Sequence, residues 1–167
     1  RKVKIDDDDD AGTLHDKLLK EGSDLLVETI DRIYIYSNEI NLISQDNYSG
    51  EYPLAPKLTK EECLIDWSDY VHNIHNKIRG LSPYPGAFTF FCIKGEKKKI
   101  KIFKSSYSKD ILNDNNCGKI YSNNLDYMGI FCRDGVLFIR ELQVEGKKRI
   151  NIVDFLRGYD INKINIC

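Results

Sequence analysis

Apolar and polar residues along this chain repeat with two different periods, and the change of period divides it. Over residues 13–34 the apolar positions Leu14, Leu18, Leu25, Leu26, Ile30 and Ile33 recur three or four residues apart. This predicts a helix with one apolar stripe, weakened at Gly22. Thr13, with Asp16 three residues on, has the form of a capping box at its start. Residues 34–56 are rich in Asn, Ser, Asp, Gly and Pro and sustain no period, so they predict a connection with brief strands at 34–36 and 40–43. Helical spacing returns at Val71, Ile74, Ile78 and Leu81, with Ser68 as the expected N-cap. Ser82-Pro83-Tyr84-Pro85-Gly86 must end this second helix, because proline lacks an amide proton and drives its predecessor out of the helical region.

Past that stop the period becomes two. Residues 88–93 predict a strand and Lys94-Gly95-Glu96 a turn. Residues 99–104 alternate lysine with Ile and Phe, the pattern of a half-buried strand whose outer face carries lysine. Lysines two apart on one strand face stand roughly 7 Å from each other. A loop is expected at 105–116, then strands at 118–122, 128–133 and 136–142. Asp134-Gly135 between the last two is a hairpin signal. A short helix is expected at 151–157, ended by Gly158. Five or six short strands with one internal helix predict a mainly β chain forming a small closed or partly closed barrel.

Composition narrows the class. The 167 residues are 41% hydrophobic and 31% charged, and no apolar run approaches a membrane span. With no leader pattern, the expected compartment is cytoplasmic. Five cysteines, at 63, 92, 117, 132 and 167, are odd in number and form no C-x-x-C pair. Thiols outside disulfides and zinc sites are the expectation. His72 and His75 have a ligand-like spacing without a third donor nearby, and the run Asp6–Asp10 reads as a solvated loop in preference to a metal site. No metal is expected. Net charge is −1, yet residues 1–52 hold 6 Lys/Arg against 13 Asp/Glu while residues 53–167 hold 19 against 13. A basic C-terminal part hints at a polyanionic partner. The first residue is Arg and the only methionine is Met128, so the natural start is expected to lie upstream.

Several segments carry a resemblance. Asp9-Asp10-Ala11-Gly12-Thr13-Leu14-His15-Asp16-Lys17-Leu18 is similar to the D-T-A-G-T-L-H-D-K-L that closes the catalytic domain of methionyl-tRNA formyltransferases, with Asp10 in place of Thr or Ser. Gln45 falls where the family has a glutamine before its linker, and 55–61 resembles its A-P-K-[IL]-x-K-E. Ile65-Asp66-Trp67, Asn76-Lys77-Ile78-Arg79-Gly80-Leu81 and Pro83-Tyr84-Pro85-Gly86-Ala87 resemble the start of the family's C-terminal domain. The tail, through Glu141-Leu142-Gln143 and Gly146-Lys147-Lys148-Arg149 to Phe155-Leu156-Arg157-Gly158, resembles the family's ending, with Ile150 for a methionine.

The resemblance implies a fold and a division of labour. Residues 1–36 would be the end of an α/β Rossmann-like catalytic domain, leaving the first helix without its sheet. Residues 37–62 would be a linker, and 63–167 an OB-like C-terminal domain that binds tRNA. The family transfers a formyl group from 10-formyltetrahydrofolate to the amino group of methionyl initiator tRNA. Its catalytic H-x-S-L-L-P and D-T-G segments do not occur in these residues, so the chain alone is expected to be inactive, and His15, His72 and His75 take no catalytic role. No catalytic or cofactor-binding residue is therefore assigned. The expected tRNA-binding residues are Lys97, Lys98, Lys99, Lys101 and Lys104 on one hairpin and Lys147, Lys148 and Arg149 beyond it. Without a nucleic acid they would be solvated surface lysines. Arg79, at the helix end, is expected to bond local carbonyls. The expected partners are initiator methionyl-tRNA and an N-terminal catalytic domain, with no membrane, in a monomer of the bacterial cytoplasm or an organellar matrix. A sugar-nucleotide N-formyltransferase or a stand-alone RNA-binding module are the alternatives.

Overall fold

In the computed structural model, residues 1–36, 44, 54–110 and 116–167 are described. The chain divides into two units, Arg1–Asp9 with Thr13–Leu58, and Asp10–Gly12 with Thr59–Cys167. The expectations placed on 40–43 and Gln45 lie outside the described residues.

The first unit is dominated by α1, Ala11–Ile35. It starts two residues earlier than the capping-box reading, and the Thr13 hydroxyl donates to Asp9 Oδ1 at 3.1 Å. Tyr34 and Ile35, expected as a strand start, complete the helix. No side chain of α1 is buried, so Leu18, Leu25, Leu26, Ile30 and Ile33 present the expected apolar stripe in the open. The acidic run is not uniformly solvated. Asp9 is 7% exposed and accepts from Lys17 Nζ at 2.6 Å, while Lys17 also donates to Asp6 Oδ2 at 3.0 Å. Hydrogen bonds from Lys4 and Lys17 hold the Asp6 carboxyl down at about 2.

The second unit is mainly β. Among the described residues, seven strands, β1 (Ala87–Ile93), β2 (Glu96–Ser108), β3 (Ile120–Ser122), β4 (Met128–Cys132), β5 (Gly135–Val144), β6 (Arg149–Asn151) and β7 (Ile164–Ile166), form one antiparallel sheet. Its order is β3-β4-β5-β2-β1-β7, with β6 beside β5. The two end strands, β3 and β7, line a common cavity of about 370 Å³, so the sheet curls into a nearly closed barrel with its seam there. Helix α2 (Val71–Gly80) buries Val71, Ile74 and Ile78, as the spacing requires, and Leu81 follows them into the core. Helix α3 (Ile152–Gly158) is capped by Asn151, whose side chain accepts from the Asp154 amide.

Local details depart from the sequence reading in four places. Ser68 does not cap α2, because its hydroxyl and amide both donate to Asp66 Oδ1, at 2.7 and 2.9 Å. The Val71 amide instead donates to Asp134 Oδ1 at 2.7 Å. The hairpin turns are one residue off: Ile93 pairs with Glu96 across Lys94-Gly95, and Cys132 pairs with Gly135 across Arg133-Asp134. Strand β2 runs on to Ser108, where a loop was expected, because β5 is long enough to pair with it. The last seven residues form a 3-10 turn, Ile161–Lys163, and β7, whose pairing with β1 brings Cys92 and Cys167 to a Cα separation of 5.8 Å and a disulfide. The expectation that no disulfide forms is thereby corrected. Antiparallel pairing between segments 75 residues apart leaves no trace in cysteine spacing. Cys63, Cys117 and Cys132 are outside disulfides, and burial pushes the Cys132 thiol up to about 12.

Candidate nucleic-acid interface

The two-residue turn at Lys94-Gly95 fixes which side chains share the outer face of the barrel. With Ile93 opposite Glu96, Phe90 stands opposite Lys99 and Phe88 opposite Lys101. Neighbouring side chains on one sheet face then touch. Lys97 Nζ lies 4.3 Å from the centre of the Phe90 ring, and Lys99 Nζ lies 3.6 Å from that of Phe88. The two rings meet edge to face at 5.6 Å. Lys101 Nζ donates to the Pro85 carbonyl at 2.8 Å, beside Gly86. Gly86 is at φ +84°, and a Cβ there would press on Phe103 at 3.2 Å and on the Lys101 stem at 3.3 Å. The proline turn therefore sits directly under the lysine row.

The regular alternation of β2 breaks after Ile102, where the pairing with β5 shifts on both sides of Lys104. Ile102 and Phe103 are both buried, yet Phe103 stands apart from the main core cluster. The Arg149 guanidinium lies 4.5 Å over the Phe103 ring, and its Nε donates to Glu141 Oε2 at 2.6 Å. Glu141 also pairs with Lys104 at 3.5 Å. Phe103 and Glu141 thus join Arg149, from the second basic group, to Lys101 and Lys104 of the first. Lys97, Lys99, Lys101, Lys104 and Arg149 form one cationic face laid on Phe88, Phe90 and Phe103. Among the described residues, the ammonium groups of Lys97, Lys99 and Lys101 pair with no carboxylate.

The other three predicted residues lie elsewhere. Lys98 alternates to the opposite side, where Glu96 pairs with it at 2.5 Å and raises its pKa. Lys147 Nζ donates to the Tyr159 hydroxyl at 2.8 Å. Lys148 is exposed beyond the turn that follows β5. Sequence reasoning missed the rings beneath the lysines, although the pattern AFTFF opposite KKKIKIF would have paired them once the turn was set at two residues. It also missed Arg140, whose Nε donates to Ser106 Oγ at 3.0 Å on the same outer face.

The histidines of α2 are engaged away from this face. His75 Nδ1 lies 2.9 Å from Ser105 Oγ, and the His72 ring meets Tyr107 edge to face at 6.0 Å. Arg79 does bond locally, its Nε donating to the Asn76 side-chain oxygen at 2.8 Å. Among the described residues no three His, Cys, Asp or Glu side chains converge in a way that could hold a metal ion, and no helix is long and apolar enough to cross a membrane.

A family described as "Formyl transferase, C-terminal domain" matches residues 57–160. The methionyl-tRNA formyltransferase of Azobacteroides pseudotrichonymphae genomovar. CFP2 is 39% identical over 166 residues, which cover 93% of this chain and 49% of that protein. That of Phocaeicola vulgatus is 39% identical over 170 residues, covering 98% and 52%, and that of Dictyoglomus turgidum 39% over 164, covering 97% and 50%. The chain spans about half the length of these curated relatives. Among solved structures, a multiply substituted variant of HypX from Aquifex aeolicus superposes with a TM-score of 0.55 at 17% identity, over 81% of this chain and 23% of that one. HypX in complex with tetrahydrofolic acid gives 0.55 at 17%, over 78% and 22%. At such identity the likeness is one of fold.

Proposed function

The chain belongs to the formyl transferase family, with its C-terminal domain at 57–160, and from that premise we propose that it is the RNA-holding part of a methionyl-tRNA formyltransferase. The full enzyme would transfer the formyl group of 10-formyltetrahydrofolate to the α-amino group of methionyl initiator tRNA, in translation initiation. The amine attacks the formyl carbon, a tetrahedral oxyanion forms, the carbon–nitrogen bond to the carrier breaks, and the amine gives up a proton. Base and oxyanion donors are assigned to a catalytic domain that residues 1–36 would complete, with 37–62 as linker and 63–167 as the tRNA-binding domain. The enzyme would work in the bacterial cytoplasm or an organellar matrix as a monomer, with no metal.

The observation that carries this reading is the joining of two basic groups, far apart in sequence, into one face. A cationic surface that displaces counterions from a phosphate backbone supplies affinity without base specificity. It would hold a large substrate while its far end reacts, which converts remote binding into positioning at the reacting carbon. Lys97, Lys99, Lys101, Lys104 and Arg149 are the proposed phosphate contacts. Lys98, Lys147 and Lys148 are proposed as peripheral contacts, the first two tied by their present partners.

The test is a salt titration of tRNA affinity for the wild-type chain and the triple variant Lys97→Ala, Lys99→Ala, Lys104→Ala. These side chains are outside the core, so the fold should be retained, with a cost of about half a kcal/mol or less at each position. Loss of about three phosphate contacts should flatten the log–log salt slope by roughly two to three units. An unchanged slope in a folded variant would remove tRNA from this face.

A further inference from the structure

A second feature of the outer face is not basic. Tyr121 on β3, Gly129 on β4 and Phe138 on β5 stand in one cross-strand row, which continues to Ser106 on β2. Gly129 has no side chain to separate its neighbours. A Cβ there would strike Val136 Cγ1 at 2.5 Å and the Phe138 ring at 3.2 Å. Across this gap the Tyr121 ring approaches Phe138 at 6.4 Å, Phe131 at 5.7 Å and Tyr127 at 5.4 Å, and Tyr127 approaches Phe138 at 6.0 Å. Four rings therefore form one cluster, with Val136 fully buried among the side chains beneath it. None of these rings belongs to the main core. Tyr121 remains 37% exposed. A hydrogen bond between the two phenols raises the pKa of Tyr127.

Charge lies at the edge of this cluster. Arg140 is two residues beyond Phe138 on β5 and is held by Ser106, the cross-strand partner of Phe138. On the next residue, Glu141 leads to Lys104 and Arg149 of the cationic face. An aromatic surface with a guanidinium at one side is the combination that receives an unpaired base: the ring face stacks, and the cation meets the adjoining phosphate. A paired base inside a duplex offers no such face.

We propose that the Tyr121, Tyr127, Phe131 and Phe138 cluster is a stacking site for an unpaired nucleobase of RNA, with Arg140 on the neighbouring phosphate. This rests on the reading of the chain as RNA-holding. It adds that the bound RNA presents at least one unpaired nucleotide to β3, β4 and β5 while its paired backbone lies along the lysine row. Affinity on this part of the face comes from ring contact, so it responds weakly to salt.

The experiment uses the whole chain, with short unstructured polyuridylate and a blunt RNA duplex of equal length as probes. Tyr121→Leu should weaken polyuridylate binding by about tenfold and duplex binding by less than about twofold, with no change of salt slope. Tyr121→Phe, which keeps the ring, should restore wild-type affinity. Tyr121→Trp adds a reporter beside Trp67, which is only 6% exposed, and its emission should be quenched by polyuridylate. Unchanged polyuridylate affinity in a folded Tyr121→Leu chain, or unquenched tryptophan emission at saturation, would overturn the stacking site. If at the same time the lysine triple variant still flattened the tRNA salt slope, the RNA-holding reading would stand and the stacking site alone would fall. A chain that binds none of the three RNAs overturns both.

Discussion

Asp134 is a turn residue that completes a helix 63 positions before it in sequence. It accepts from the first amide of α2 and pairs with Lys109 at 3.1 Å. Burial by itself pushes its carboxyl up, but the Val71 amide and the Lys109 ammonium more than offset this and hold it below the ordinary carboxylate value of 3.8. Since the folded pKa is lower than the unfolded one, the cap contributes fully above about pH 4 and is lost as the pH falls through the folded value. Asp134→Ala should cost about 1 kcal/mol at neutral pH. In denaturant titrations the difference from wild type should shrink progressively below pH 4. A constant difference down to pH 2 would mean that the carboxylate is not the stabilising species. Its neighbour Gly135 owes its place to close approach, because a Cβ there would lie 2.3 Å from the Ser108 carbonyl oxygen. Neither role could be read from the sequence. Asp-Gly signals a turn, and it does not say that the aspartate reaches a helix or that the glycine faces a backbone. Ser68 had the right chemistry for a cap, but Asp66 two residues earlier claims its hydroxyl.

At the scale of elements, what is legible depends on how local the cause is. The stripe Val71, Ile74, Ile78 and Leu81 is set by the period of one helix, and all four residues are buried as that period requires. Lys97, Lys99 and Lys101 share a face because successive strand residues alternate. The bulge in β2 is different, for it comes from the register of β5, a partner 40 residues downstream. Regular alternation already places Phe103 on the lysine face and would point Lys104 inward. The bulge leaves Lys104 exposed and pairing with Glu141, and so helps join the two basic groups, which sequence spacing kept apart. Strand β7 was missed for a similar reason: three residues without a turn signal take their conformation from the edge of β1. The best-supported element is α2, and Ile78, fully buried in it, measures its packing. Ile78→Ala should destabilise the second unit by about 2–5 kcal/mol. A loss below 1 kcal/mol by equilibrium denaturation would show that α2 is not packed as described.

Across the whole molecule, sequence and structure describe an uneven distribution of charge and apolar surface. Acidic residues predominate in the first 52 positions and basic ones thereafter. The exposed stripe of α1 belongs to the acidic part, and the cationic, ring-backed face to the barrel. Family membership was legible because its motifs mark places where geometry allows few residue types: the Trp67 indole donates to buried Thr89 at 3.0 Å, and Gly86 carries its positive φ against Phe103. The surface was less legible, since five of eight proposed cations share a face only after the sheet is assembled. RNA is proposed to lie on the outer face of the barrel. The most direct measurement is amide and side-chain NMR of the chain titrated with unformylated initiator tRNA. The expected result is shifts concentrated at Lys97, Lys99, Lys101, Arg149, Tyr121 and Phe138, with His72, His75 and Tyr107 on the α2 side unmoved. Shifts centred on the α2 side, with the lysine and tyrosine signals unchanged, would contradict it.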